Sequence, residues 1–134
     1  AGLRLGYLVA SPEMAATIGG MRRKFHLSRL DVAAGVAALE DRAFVERSVA
    51  LVHQQLPLFY DTFKRLGLPC WPSDANFVLF RPRGDAREVQ RALAARGIRV
   101  RPTDGNGLPG HIRVTVGTPE ENQRFRTALA EVTA

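Results

Sequence analysis

The feature that most constrains this chain is the stretch from Ala43 to Leu66. Val45, Val49, Val52, Leu56, Phe59, Phe63 and Leu66 recur there at alternating steps of four and three. That spacing places them on one stripe of a single long helix. The same period would also suit a coiled coil, but about three heptads are a short seam and Pro57 is expected to kink the helix. Packing on the body of the protein is the preferred expectation. A helix of this length needs a layer to bury its stripe, and the residues that follow supply one.

Gly67 is a helix stop, and from Leu68 the pattern becomes β-like. Asn76 to Phe80 (NFVLF) reads as a strand. Asp85 and Glu88 form a capping box for a helix bearing Val89, Ala92 and Leu93, ended by Gly97. Ile98 to Arg101 (IRVR) alternates as a half-buried strand does. The Gly/Pro/Asn-rich loop from Pro102 to Gly110 leads to a further strand, His111 to Val116 (HIRVTV). Thr118 and Glu121 then box a last helix with Pro119 in its first turn and Phe125, Ala128, Leu129 and Val132 as its buried stripe. Residues 67–134 therefore read β, α, β, β, α, an α+β sandwich in which a small sheet is covered by helices.

Upstream, Leu3 to Ala10 is a near-continuous apolar run that reads as a buried strand. Ser11 and Pro12 start a helix weakened by Gly19 and Gly20, and Ser28 with Asp31 caps an alanine-rich helix expected to be buried. The chain opens in the middle of that strand, so it reads as part of a longer polypeptide. An unpaired strand there would favour self-association.

Composition narrows the function classes. At 134 residues the chain allows one ordinary domain and no second full one. No apolar stretch approaches the ~18 residues of a membrane span. The single cysteine, Cys70, has no internal disulfide partner and fits a reducing cytoplasm. His26, His53 and His111 are far apart in sequence, with no metal-ligand spacing. The net charge of +6 invites a nucleic-acid reading. However, the arginines are spread singly, the sole cluster is Arg22, Arg23 and Lys24, and no nucleic-acid-binding signature accompanies them. Solvated faces explain them better.

Arg113 stands out from that background. It sits inside HIRVTV, and a guanidinium in a segment that wants burial requires an anion, because an isolated buried charge is costly. A carboxylate or phosphate matches its planar fork. The anion can be a ligand, or one of the thirteen acidic residues of the chain in a structural salt bridge.

Three stretches together resemble the C-terminal part of a fold type I, pyridoxal-phosphate-dependent aminotransferase, most closely the histidinol-phosphate aminotransferase group. They are AGLRLGY at 1–7, SDANFVLFR at 73–81 and IRVRPTDGNGLPGHIRVTVGTPEENQRF at 98–125. The resemblance implies that 1–42 are the end of a large cofactor-binding domain, 43–66 a connecting helix, and 67–134 a small C-terminal domain with a mainly antiparallel sheet. It implies pyridoxal 5'-phosphate as cofactor and Arg4, between Gly2 and Gly6, as the residue on its phosphate. Arg113 would grip the substrate's carboxylate, Arg101 would help hold a substrate phosphate, and Asn76 would lie near the substrate. The family's pattern, Ser-Lys-x-x-x-x-Ala-Gly-x-Arg-x-Gly-Tyr, puts the cofactor-holding lysine five residues before Ala1. Neither Lys24 nor Lys64 has its setting, so this chain alone is not expected to transaminate.

The implied reaction moves an amino group from a histidinol-phosphate-like amine to 2-oxoglutarate, in a homodimeric cytoplasmic enzyme with no nucleic-acid, membrane or metal partner. Two alternatives stand beside it. One is a decarboxylase of the threonine-phosphate type with the same fold and cofactor. The other is a non-enzymatic ferredoxin-like ligand-binding module, which leaves AGLRLGY unexplained.

Overall fold

The computed structural model describes residues 2–22 and 26–133. Of the basic cluster Arg22, Arg23 and Lys24, the last two lie outside the described residues. The chain divides into two compact units, Ala1–Glu46 and Arg47–Ala134.

The first unit carries helices α1 (Pro12–Gly20) and α2 (Arg29–Glu40), and α3 (Arg42–Leu66) begins in it. Both predicted starts hold. Ser11 Oγ accepts from the Met14 N–H at 3.3 Å, and Ser28 and Asp31 form a reciprocal box at 2.8 and 3.1 Å. The predicted strand Leu3–Ala10 does not form. That segment is irregular and open to solvent, with Tyr7 77% and Val9 85% exposed. A strand needs a neighbour for its N–H and C=O groups, and the unit contains no strand among the described residues. Nor is α2 the buried helix expected from its alanines: Leu30, Val32, Val36 and Leu39 are all exposed. The segment does touch α2 at one point. A Cβ on Gly35 would stand 2.5 Å from Leu5 Cδ2, so a side chain there would have to displace that leucine methyl.

The second unit is the α+β layer structure. Strands β1 (Cys70–Trp71), β2 (Phe77–Phe80), β3 (Arg101–Pro102) and β4 (Ile112–Thr115) form one antiparallel sheet in the order β1-β2-β4-β3. Helices α3, α4 (Ala86–Ala94) and α5 (Pro119–Thr133) supply the core on one face of it. Two expectations shift. The strand read at Ile98–Arg101 is formed only at Arg101–Pro102, with Ile98 and Val100 packed on the core instead. Moreover, β1 is too short to show periodicity, and the sequence pattern missed it.

Alternation along β2 and β4 points Val78, Phe80, Ile112 and Val114 inward. They meet Phe59 and Phe63 of α3, Leu93 of α4, and Phe125 and Leu129 of α5. Phe63 stacks on Phe80 at 4.7 Å between ring centroids, and Phe59 on Phe125 at 5.5 Å. Helix α3 runs unbroken through Pro57, which is on its exposed side, but only its second half is buried; Val45 and Val49 remain exposed. It ends as predicted at Gly67, φ +63°, where the Leu68 N–H reaches back to the Phe63 carbonyl at 2.9 Å.

The turn from β4 into α5 is anchored twice. Thr118 and Glu121 make the predicted box, at 2.8 and 3.3 Å. Asn122, 2% exposed, accepts from the Gly117 N–H at 2.8 Å and donates to the Gly117 carbonyl at 3.0 Å and to Gln55 Oε1 of α3 at 3.1 Å. Asp85 caps α4 as expected, accepting from Arg87 and Glu88 N–H groups, while the Glu88 carboxylate lies toward Arg91 at 3.9 Å rather than closing a box.

Candidate functional site

The side chains that alternate outward form a second face on the same sheet. Register aligns Trp71, Leu79, Arg113 and Arg101 in one row across the four strands. Directly opposed residues of an antiparallel pair carry their Cβ atoms about 4.5–5.5 Å apart on the same side. Arg101 and Arg113 are such a pair, so two guanidinium groups issue from neighbouring points of one rigid surface. Like charges placed this way repel unless an anion lies between them.

No ion pair among the described residues supplies that anion. Ion pairs among the described residues join Arg87 to Asp104, Arg91 to Glu88 and Arg96 to Glu131, and none includes Arg101 or Arg113. The internal salt bridge left open by the sequence is therefore not made among the described residues. Arg113 is half-buried rather than enclosed. Its guanidinium carbon sits 4.9 Å from the centroid of the Phe77 ring, and its Nε is buried without a hydrogen-bond partner. The ring orients the fork and shields one side of it, which strengthens its field toward an anion on the other.

Two residues beside this pair were missed in the sequence. His111 stands two positions before Arg113, and its ring packs against Trp71 at 5.0 Å between centroids. His111 Nδ1 lies 2.8 Å from the Pro109 carbonyl, which suits an N–H on Nδ1 and leaves Nε2 as the free nitrogen. The alternation of HIRVTV could have placed His111 on the face of Arg113. Trp71 could not be placed, because its strand has only two residues.

The other two site candidates lie elsewhere. Asn76 precedes β2, and its carbonyl accepts from the Val116 N–H at 2.9 Å. With Val52, His53 and Asp74 it lines a groove of about 160 Å³ beside α3, so it does not join the arginine row. Arg4 belongs to the first unit. It is exposed, makes no ion pair among the described residues, and holds φ +57°, a left-handed conformation that a non-glycine residue adopts at a cost of roughly 1–2 kcal/mol. A Cβ on Gly2 or Gly6 would meet nothing within 4 Å, so an oxyanion can approach the backbone on either side of Arg4.

The sequence profile of the family described as aminotransferase class I and II matches residues 1–129. This chain belongs to the class I and II aminotransferases. Among curated relatives, the histidinol-phosphate aminotransferase of Symbiobacterium thermophilum is 52% identical over 129 residues, which cover 96% of this chain and 36% of that protein. Histidinol-phosphate aminotransferase 2 of Pasteurella multocida is 43% identical over 132 residues, covering 98% of this chain and 36% of its own length. Among solved structures, the histidinol-phosphate aminotransferase of Sinorhizobium meliloti in complex with pyridoxal-5'-phosphate superposes with a TM-score of 0.75 at 29% identity. That match covers 98% of this chain and 37% of the other.

The aminotransferase chain described here thus spans just over a third of the length of the relatives it matches. Lys64, its one described lysine, is in the last turn of α3, in the layer on the opposite side of the sheet from Arg113. No helix of the described residues is long and apolar enough to cross a membrane, and no cluster of three metal-ligating side chains occurs among them.

Proposed function

We propose that this chain contributes the anion-recognising part of a pyridoxal-phosphate-dependent aminotransferase. Its substrates are a phosphorylated amine of the histidinol-phosphate type and a dicarboxylic oxo acid such as 2-oxoglutarate. The observation that carries the reading is the pair Arg101 and Arg113, opposed in register on an open sheet face and in no ion pair among the described residues. Two adjacent forks suit a tetrahedral phosphate, which both can share, and a planar carboxylate, which one can grip bidentately. One pair of cations can therefore serve both halves of an amino-transfer cycle, in which the two substrates enter in turn.

Pyridoxal 5'-phosphate supplies the electron sink that such chemistry needs. Of this chain's residues, Arg4 would hold its phosphate: the guanidinium makes no ion pair among the described residues and is flanked by backbone that an oxyanion can approach. Arg113 orients the acid or phosphate end of the substrate, and Phe77 fixes the plane of its fork. Arg101 adds the second charge that a dianion requires. Asn76 remains a candidate for a substrate contact through the groove it lines.

In this reading residues 1–42 are the end of the cofactor-binding domain, 43–66 the connecting helix and 67–134 the small domain, and catalysis belongs to a polypeptide of the relatives' length. That enzyme works as a homodimer in the cytoplasm, where the Cys70 thiol stays free. The exposed Tyr7, Val9, Leu30 and Leu39 are the kind of apolar surface that such an assembly covers.

The test is the rate of each half-reaction in the full-length enzyme. Hydrogen bonds between charged groups contribute about 1.5–3 kcal/mol, or roughly 10- to 150-fold. Arg113→Ala should lower kcat/KM by that order with both substrates. Arg101→Ala should lower it chiefly with the phosphorylated one. Small, equal losses in all four measurements would defeat the assignment.

A further inference from the structure

The helical layer carries a second concentration of positive charge, remote from the sheet face. Leu58, Asp61, Thr62, Lys64 and Arg65 of α3 line a groove of about 630 Å³ with Arg126 of α5. We propose that this groove is a second anion site, fitted to a phosphate or phosphomonoester dianion. It is independent of the roles given to Arg4, Arg101 and Arg113.

Charge is the first argument. Lys64, Arg65 and Arg126 face one carboxylate, that of Asp61, and none of the ion pairs among the described residues involves any of these four. The concavity therefore keeps a net charge of +2, which a dianion balances. Lys64 and Arg65 have an ordinary reason to be where they are, because cations in the last turn of a helix complement its dipole. Arg126 has no such reason, since it stands in the middle of α5.

The second argument is the state of Arg126. One terminal nitrogen donates to Gln123 Oε1, while Nε is buried and has no acceptor. A donor withdrawn from water without a partner is disfavoured. An anion that draws this guanidinium into the groove removes that penalty. Arg65 is already steered: it donates to the Thr62 hydroxyl at 3.4 Å, and Thr62, 1% exposed, is fixed by its own bond to the Leu58 carbonyl at 2.8 Å.

The third argument concerns shape. The cations come from two helices and so converge from different directions, which suits a tetrahedral oxyanion better than a flat carboxylate served by a single fork. The site is open to water, so binding is screened and weak, with a Kd of about 1–10 mM at low ionic strength.

The experiment follows side-chain Nε–H resonances of ¹⁵N-labelled arginine in the protein as inorganic phosphate is added, with chloride at matched ionic strength as the control. A saturable shift at Arg126 is expected with phosphate and not with chloride. Arg65→Gln and Lys64→Gln, both at exposed positions that leave the core intact, should each weaken it by about fivefold. Arg101→Gln and Arg113→Gln should leave it unchanged, so failure at this site is distinguishable from failure of the sheet-face assignment. A linear response, an equal response to chloride, or a response indifferent to Arg65→Gln and Lys64→Gln would overturn the proposal.

Discussion

Replacing Asn122 with alanine tests the element that connects the core to Arg113. The carboxamide makes three hydrogen bonds, two to the Gly117 backbone and one to Gln55, and Gly117 lies two residues past the end of β4, the strand that carries the arginine. Asn122→Ala deletes all three and leaves three partners behind. The Gly117 groups are half-buried and can regain water, whereas Gln55 is only 8% exposed. Each lost bond is worth about 0.5–1.5 kcal/mol net, and a stranded buried acceptor adds about 1–3 kcal/mol. With partial rehydration the total is about 2–4 kcal/mol, a shift of roughly 1–2 M in the urea midpoint at an ordinary slope for a small domain.

Urea unfolding followed by far-ultraviolet circular dichroism measures this shift. A cycle with Gln55→Leu should return a coupling of about 1 kcal/mol, because the two side chains share one bond. A loss below about 0.5 kcal/mol at unchanged slope, or no coupling in the cycle, would show that the turn does not depend on this clamp.

Phe63 is fully buried between Phe59, Phe80 and Phe125, so Phe63→Ala should destabilise the second unit by about 3–5 kcal/mol; a loss near 1 kcal/mol would mean that the aromatic cluster is loosely packed. Hydrogen bonds from the Ser28 backbone and hydroxyl hold the Asp31 carboxyl below its ordinary 3.8. The backbone of Glu120 and the Thr118 hydroxyl hold Glu120 below 4.5. Since both folded values are lowered, their stabilisation is complete above the ordinary values and is lost as pH falls below them. Helix content near the starts of α2 and α5 should therefore fall in acid, and Ser28→Ala and Thr118→Ala, which remove the hydroxyl bonds and leave the larger backbone ones, should weaken both starts at pH 7; helix content that does not change in acid would refute the linkage. Burial pushes the Cys70 thiol above its ordinary 9.0, so alkylation by iodoacetamide should still be accelerating beyond pH 9, and a plateau below that pH would contradict the partial burial of its sulfur.

Most of the second unit was legible because its signals are local. Apolar spacing marked α3, α4 and α5, and Asp85 and Thr118 marked helix starts through bonds that span three residues or fewer, as Ser11 and Ser28 did in the first unit. Gly67 and Gly97 stand where a left-handed residue closes a helix. Local pattern failed where a partner decides the outcome. Leu3–Ala10 has the composition of a buried strand but no strand beside it among the described residues of its unit. β1 exists only because β2 offers it a ladder at Leu79 and Phe80.

The site divides along the same line. Residue type and short-range periodicity, which are properties of the chain alone, were enough to put Arg113 on a strand and Arg101 at the end of the preceding apolar run, and resemblance to the aminotransferases singled out both. It took the folded sheet to show that these two arginines oppose each other, that Phe77 and no carboxylate among the described residues meets Arg113, and that Asn76 lines a different groove. Strand order and register bring residues twelve positions apart into one row, and they are set by which faces the helices bury, a choice that no single segment makes alone.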